Sequence, residues 1–237
     1  MQTMLASRLA AVRLRAHPCC APSASHPLRI IAVGDSLIYG FGDPEGGGWV
    51  ERLRSQWMAS QGPGHALYNL GIRGNGVAQV RARLETEFAA RGELRNRLPD
   101  WLVLSVGVND SPRVGHRGGR NLTDFEAFTA QLANLLDQAQ QFGGVLFVGM
   151  VPVDEAKMPF LDCLYYNHAD QYRYHQATKQ ACSERQIPYL ELFDLWMGRG
   201  ESWRRAQMSP DGLHPNVRGY QALLQDVLSW EPFSQFG

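Results

Sequence analysis

Five short apolar segments recur along the chain, separated by longer stretches in which apolar residues follow a helical period. They are Leu28–Gly34, Ala66–Ile72, Trp101–Val108, Val145–Val151 and Ile187–Phe193. Continuous apolar runs of this length, rich in β-branched residues, are typical of strands that are covered on both faces. Strands that alternate with helices predict a parallel sheet with helices on both sides, and right-handed crossovers leave few topologies for it. We therefore expect one α/β domain built on a doubly wound, five-stranded parallel sheet.

The charge balance argues against partners that are held by a field of the whole protein. The 237 residues include 23 basic and 23 acidic side chains, so the formal net charge is zero. Nucleic acid and anionic membranes attract proteins with an excess of positive charge. No apolar stretch approaches the roughly 20 residues that a membrane span requires. We expect neither nucleic acid binding nor stable membrane insertion, and the oligomeric state stays open.

The first 27 residues differ from the rest of the chain in composition. They contain no acidic residue, and Arg13 and Arg15 interrupt the apolar run at residues 9–12 where a secretory signal would continue. We predict a flexible N-terminal extension over residues 1–27 and a folded domain over residues 28–237. The four cysteines lack the spacing of a zinc site, which is consistent with free thiols in a reducing compartment. The expected location is cytoplasmic.

Four polar clusters follow predicted strands or precede the last predicted helix. They are Gly34-Asp35-Ser36, Gly74-Asn75, Asn109-Asp110 and the segment from Asp211 to His214. The carboxyl ends of parallel strands lie at one edge of a sheet, where open α/β folds bind their ligands. We therefore expect these clusters to meet in one crevice.

The residue types in these clusters are those that nucleophilic acyl transfer requires. In this interpretation Ser36 is the nucleophile, His214 takes and returns its proton, and Asp211 orients the imidazole. The backbone N–H groups of Ser36 and Gly74 and the side-chain amide of Asn109 would hold the oxyanion. This chemistry needs no cofactor and no metal ion, and its partner is a small-molecule ester.

The order serine, acid, histidine is shared with α/β-hydrolases, but their glycine-flanked serine turn is absent because position 38 is isoleucine. The pattern instead resembles the SGNH or GDSL family of esterases and lipases. The four matching blocks, in family order, are Gly34–Leu37, Asn69–Asn75, Gly107–Asp110 and Asp211–Pro215. The resemblance implies a flavodoxin-like three-layer α/β/α fold and hydrolysis of a lipid, acetyl or thioester bond by a serine hydrolase. One departure is Asn75, where family members often carry aspartate; we expect it to affect loop geometry more than chemistry.

Two other functions remain open at this stage. The first is a metal-assisted phosphoesterase, in which a carboxylate cluster holds a metal ion for phosphoester hydrolysis. The cluster would consist of Asp35, Asp110 and Asp211. In the second, the fold is a non-catalytic module that binds a carbohydrate or a lipid. The simpler interpretation of each carboxylate is an acceptor for backbone N–H groups in its own turn.

Two loops are candidates for substrate contacts. The loop at residues 154–165 is unusually apolar and is either an acyl-binding wall or lid, or an excursion of the core. The loop from Arg113 to Arg120 follows Asn109 directly, so its arginines are candidates for contact with an anionic group of the substrate. A solvated loop is the alternative.

Overall fold

A computed structural model describes residues 27–59, 64–91, 98–234 and 236. The predicted N-terminal extension, apart from Pro27, lies outside the described residues. In chain order the strands are β1 Arg29–Gly34, β2 Ala66–Gly71, β3 Trp101–Ser105, β4 Arg113–Val114, β5 Gly144–Val148, β6 Leu164–Tyr165 and β7 Tyr189–Leu190. Five of them form a parallel sheet in the order β2-β1-β3-β5-β7. This doubly wound order confirms the predicted flavodoxin-like fold.

Helices connect these strands and follow the last of them. They are α1 Ser36–Tyr39, α2 Gly48–Met58, α3 Val77–Ala90, α4 Phe125–Gln140, α5 His168–Glu184, α6 Leu192–Gly198, α7 Glu201–Gln207, α8 Val217–Ser229 and α9 Glu231–Ser234. Short 3₁₀ turns cover Val108–Asp110 and Glu155–Lys157. None of the helices within the described ranges has the length and apolar character that crossing a membrane requires.

Both faces of the sheet are buried under helices. Residues of β1 alternate between the faces, with Ile31 and Val33 packed towards α3, α4 and α5 and Ile30 and Ala32 packed towards α2 and α8. All four side chains are inaccessible to solvent. The continuous apolar run in the sequence therefore reflects a central strand in a three-layer α/β/α arrangement.

The register places the ends of three strands at one level. Gly34 is aligned with Gly71 of β2 and with Ser105 of β3. The loops that follow these strands contain three of the four polar clusters, so the sheet itself brings them together.

The fifth predicted strand is present, but it is much shorter than the predicted range Ile187–Phe193. Only Tyr189 and Leu190 pair with β5, and α6 begins at Leu192, inside the predicted strand. The buried residues of α6 are Leu192, Phe193 and Trp196, and their spacing is typical of a helix rather than of a strand. The segment from Trp196 to Met208 contains the rest of α6 and all of α7.

A second, two-stranded sheet anchors the two candidate substrate loops to each other. Strand β4 pairs antiparallel with β6, so the loop at residues 154–165 is tied to the arginine-rich loop. Met158 is buried in the core, whereas Leu161 at the turn is 70% exposed. Strands of two residues are too short for an alternating pattern, which is why the sequence did not predict them.

Gly34 provides a test of how closely β1 and β3 approach. A Cβ atom at this position would lie 1.9 Å from the carbonyl oxygen of Ser105 and 2.7 Å from Cγ1 of Ile38. We expect Gly34→Ala to lower the free energy of unfolding by at least about 2 kcal/mol, because the backbone must shift. Urea unfolding measures the loss.

The matched control is Gly198→Ala at the end of α6, where an added Cβ meets no atom within 4 Å. Its stability should stay within about 1 kcal/mol of the wild type. Equal stability of the two variants would contradict the close approach at Gly34.

Candidate active site

Ser36 lies at the turn that joins β1 to α1. Asp35 precedes it, and one oxygen of that carboxylate, Oδ1, accepts a hydrogen bond from the N–H of Leu37 at 2.9 Å. The Tyr220 hydroxyl of α8 lies 3.2 Å from the carbonyl oxygen of Ser36 and 3.0 Å from that of Phe41, within hydrogen-bonding distance of both. The short helix ends at Gly40, whose φ of 84° is left-handed. Contacts within its own turn and a contact from α8 therefore both fix the position of Ser36.

Ser36, His214 and Asp211 form one hydrogen-bonded chain. The Nε2 atom of His214 lies 2.9 Å from Oγ of Ser36, and its Nδ1 atom lies 2.7 Å from Oδ2 of Asp211. The other oxygen of Asp211 accepts the backbone N–H groups of Leu213 and His214. With Nδ1 protonated towards the carboxylate, Nε2 is the acceptor for the Ser36 hydroxyl. The structure therefore brings together the three residues that the sequence analysis grouped.

The surroundings keep Asp211 ionised. Burial alone would raise the pKa of this carboxyl, but hydrogen bonds from the His214 side chain and from the backbone at Leu213 and His214 outweigh burial. The pKa of Asp211 therefore lies below its usual range. A carboxylate that stays negative at neutral pH remains a hydrogen-bond acceptor for Nδ1 of His214.

Two aromatic rings cover the imidazole. Phe41 meets the His214 ring edge-to-face at 4.7 Å between centroids, and Phe160 does so at 5.9 Å. Ser36 and His214 are almost fully buried. Neither Phe41 nor Phe160 belongs to a sequence motif, although the apolar loop at residues 154–165 was a candidate substrate wall. Phe160 places that loop against the site.

Asn109 and Gly74 lie on the two loops beside Ser36. One N–H of the Asn109 amide donates to the carbonyl oxygen of Asn75 at 3.0 Å, and the hydroxyl of Tyr166 donates to its oxygen at 3.3 Å. An amide nitrogen carries two N–H groups, so a second donor remains. Gly74 has a left-handed φ of 78° and open space where a Cβ would be. Both predicted oxyanion residues are thus on loops at the same sheet edge as Ser36.

Arg83 of α3 connects the Gly74 loop to the end of β1. Its Nε donates to Oδ1 of Asn75 at 2.9 Å, and its Nη2 donates to the carbonyl oxygen of Gly34 at 2.8 Å. Asn75 therefore supplies a neutral acceptor where an aspartate would supply a charged one. The sequence pattern of α3 places its arginines on the polar face of the helix. That pattern does not predict the contacts of Arg83 with Asn75 and Gly34.

Asp110 and Asp35 are hydrogen-bond acceptors at this edge of the sheet, Asp110 for groups on other elements and Asp35 for its own turn. Asp110 accepts from the N–H of Val77 at 3.0 Å and from the hydroxyl of Thr123 at 2.7 Å, and burial raises its pKa. Asp35 is fully buried, and its second oxygen has no hydrogen-bond partner. Burial raises the pKa of Asp35 to about 7.

The carboxylates proposed for a metal cluster do not converge. Within the described ranges, the three acidic or histidine residues whose ligand atoms all lie within 4.8 Å of one another are His175, Glu191 and Asp194, and Asp35, Asp110 and Asp211 are not among them. In that group His175 is hydrogen-bonded to Asp194 and Glu191 is paired with Lys179. The arrangement therefore favours the interpretation of Asp35, Asp110 and Asp211 as hydrogen-bond acceptors.

Arg113, the first residue of the arginine-rich loop, makes contacts within the protein. Arg113 donates to both oxygens of Asp170, at 2.6 Å and 3.1 Å. Arg117 is exposed and lies over the Tyr165 ring at 5.9 Å. Arg113 and Asp170 thus form an ion pair that links β4 to α5.

The profile of the GDSL-like lipase and acylhydrolase family matches residues 32–222. The chain belongs to this family. Membership makes it a carboxylic-ester hydrolase that acts on small-molecule esters. The matched range contains the four blocks that carry the resemblance in the sequence.

Two curated proteins are similar in sequence to this GDSL-family chain. The uncharacterized protein YpmR of Bacillus subtilis is 23% identical over 212 residues, which cover 84% of this chain and 79% of that protein. The GDSL esterase/lipase CPRD49 of Arabidopsis thaliana is 24% identical over 149 residues, which cover 56% of this chain and 57% of that protein.

Solved structures agree with the fold. A catalytic mutant of Axe2, an acetylxylan esterase from Geobacillus stearothermophilus, superposes with a TM-score of 0.65 at 17% identity, covering 89% of this chain and 94% of the other. The lipase/acylhydrolase from Enterococcus faecalis gives a TM-score of 0.64 at 17% identity, with 85% and 93% covered. These similarities establish the three-layer architecture.

The buried carboxyl of Asp35 predicts how stability changes with pH. Its pKa is about 7 in the folded protein against 3.8 for an ordinary aspartate, so the folded state binds more protons between these pH values. Stability should therefore fall as the pH rises through this window. Asp35→Asn removes the titration and keeps an acceptor for Leu37. Urea unfolding should show that the free energy of unfolding of the variant, measured relative to wild type, rises by on the order of a few kcal/mol from pH 5 to pH 8.

Asp137→Asn is the control for this comparison. The hydrogen bond from Arg185 lowers the pKa of Asp137, which therefore titrates below the window. Its stability relative to wild type should be the same at pH 5 and pH 8. A constant difference between Asp35→Asn and wild type over this range would contradict the buried protonated carboxyl.

Proposed function

We propose that this hydrolase works through an acyl-enzyme on Ser36, with His214 as general base and Asp211 as the carboxylate that orients it. The observation that carries the proposal is the continuous contact from Oγ of Ser36 through both nitrogens of His214 to Asp211, at 2.9 Å and 2.7 Å. Both distances are within the reach that proton transfer to a base requires.

The reaction proceeds in two halves. Oγ of Ser36 attacks the ester carbonyl carbon while His214 takes the hydroxyl proton, and Asp211 stabilises the imidazolium that forms. His214 then gives the proton to the departing alkoxide, which leaves the acyl group on Ser36. A water molecule, deprotonated by His214, attacks the acyl carbonyl. The bond to Oγ of Ser36 then breaks, His214 returns the proton to Oγ, and the acid is released.

The negative charge on the carbonyl oxygen is held by three donors in this proposal. The N–H of Ser36 lies at the first turn of α1, where helical N–H groups lack a partner within the helix. The N–H of Gly74 and the free N–H of the Asn109 amide come from the neighbouring loops. Tyr166 and Asn75 hold the Asn109 amide in place, so the donor is positioned before the charge develops.

The acetylxylan esterase gives independent support. Its solved catalytic mutants replace a histidine, an aspartate and a serine, and the aspartate and histidine are three positions apart in its sequence. Asp211 and His214 have the same separation in this chain. The separation suits one turn that presents both side chains in a fixed relation.

Ser36→Ala tests the nucleophile. Loss of Oγ removes the covalent step, so hydrolysis of 4-nitrophenyl acetate should fall by at least about a thousandfold. The melting temperature should stay near that of the wild type, because Oγ contributes one hydrogen bond, to His214. A serine-directed phosphonate should add its mass to the wild-type peptide that contains Ser36, and turnover retained by Ser36→Ala would contradict the mechanism.

The same assays separate the other two functions. A metal-assisted phosphoesterase loses activity in a chelator and is insensitive to the phosphonate. A non-catalytic binding module binds ligand without turnover by either wild type or variant.

Asn109→Ala tests the oxyanion donor. Removing one such donor lowers kcat by roughly a hundred- to a thousandfold in enzymes of this type. The KM for 4-nitrophenyl acetate should change little, because the charge develops only in the transition state. Asn121→Ala is the control, since its amide donates to the carbonyl oxygen of Ser111 away from Ser36. An Asn109→Ala variant with unchanged kcat would remove Asn109 from the mechanism.

A further inference from the structure

A cavity of about 680 Å³ opens at the end of α1 that is remote from Ser36. Tyr39, Phe41, Asn69 and Gly71 are among its lining residues. Since α1 is a single turn, the cavity begins roughly 5 Å along the helix axis from the proposed nucleophile. The ring of Phe41 also contacts His214, so one aromatic side chain borders both the cavity and the proposed base.

The acidic groups around this cavity are already neutralised. Asp43 is buried and receives two hydrogen bonds from Arg52, at 2.7 Å and 2.9 Å. Glu51 accepts a hydrogen bond from Arg54 at 2.7 Å. Neither carboxylate therefore repels an anion strongly from the cavity.

Arg73 contacts Phe41, one of the residues that line the cavity, through its guanidinium group. Its guanidinium carbon lies 3.6 Å above the centroid of the Phe41 ring, and the residue is exposed. Among the described residues no carboxylate lies within 4.0 Å of its guanidinium nitrogens. A guanidinium stacked on a ring keeps the N–H groups at its edge available, and their planar fork matches a carboxylate.

The position of Arg73 in the sequence also places it between the cavity and the proposed oxyanion donor. It directly precedes Gly74, the proposed oxyanion donor, and follows Gly71 of the cavity lining by two residues. By contrast, Arg113 of the arginine-rich loop is paired with Asp170, and Arg117 borders a different cavity that contains Asp154 and Glu155.

We propose that Arg73 and the cavity beside Phe41 form a subsite for the non-reacting part of the substrate, and that Arg73 selects esters that carry a carboxylate. A guanidinium donates two parallel hydrogen bonds to one carboxylate, and its single positive charge balances the charge of that group. The assignment of the reacting ester bond rests on the proposed function.

Two matched pairs of esters test the subsite. In 4-acetoxybenzoate and its methyl ester the charge is on the alcohol part, whereas in 4-nitrophenyl hydrogen succinate and methyl 4-nitrophenyl succinate it is on the acyl part. The measured quantity is the ratio of kcat/KM for the acidic and neutral members. Arg73→Gln should lower this ratio by about three- to tenfold in at least one pair, and 0.5 M salt should lower it in the wild type.

Arg117→Gln is the matched control, because Arg117 is also an exposed arginine over an aromatic ring. Its ratios should equal those of the wild type. The proposal is overturned if Arg73→Gln changes both members of each pair by the same factor, or if Arg117→Gln lowers the ratio as much.

The experiment keeps the subsite and the mechanism separate. If Ser36→Ala still hydrolyses the esters, the proposed function fails whatever Arg73 does. If Ser36→Ala is inactive and Arg73→Gln leaves the ratios unchanged, the subsite fails and the mechanism stands. Calorimetric binding of all four esters to Ser36→Ala, with and without Arg73→Gln, gives the same comparison without turnover. Equal affinity of these two proteins for both acidic esters would also overturn the subsite.

Discussion

The alignment of Gly34 with Gly71 and Ser105 is the constraint on which the candidate site depends. Parallel strands in this register end at one level, so the loops behind them start from neighbouring points. Gly34 lies so close to the carbonyl of Ser105 that a side chain would not fit between β1 and β3. The turn at Ser36, the Gly74 loop and the Asn109 turn therefore occupy one small region, and the loop that carries Asp211 and His214 closes it.

The architecture was predictable from the sequence because its central strands are buried on both faces. Ile30 to Val33 and Leu102 to Leu104 are apolar at every position, which only a covered sheet explains. Prediction was weakest at the edge, where β7 pairs through two residues and local helical packing of Leu192 and Trp196 prevails.

The candidate site divides in a similar way. Ser36, Gly74, Asn109, Asp211 and His214 lie in short motifs at strand ends, and the topology alone brings such motifs together. Arg83, Phe41 and Phe160 carry no motif, and their importance follows from where α3 and two loops place them. A motif records which groups react, while the residues that orient or cover those groups are defined by three-dimensional contacts.

The hydroxyl of Tyr220 lies within hydrogen-bonding distance of the Ser36 and Phe41 carbonyls across more than 170 positions of sequence, and His214 spans a similar distance to reach Ser36. Such non-local contacts form late, because the loop between them must close first. During folding the serine turn near the start of the sheet would thus lack both its base and its support until α8 docks. Assembly of the reactive serine is in this sense coupled to completion of the fold, so a partly folded chain would not carry an active nucleophile.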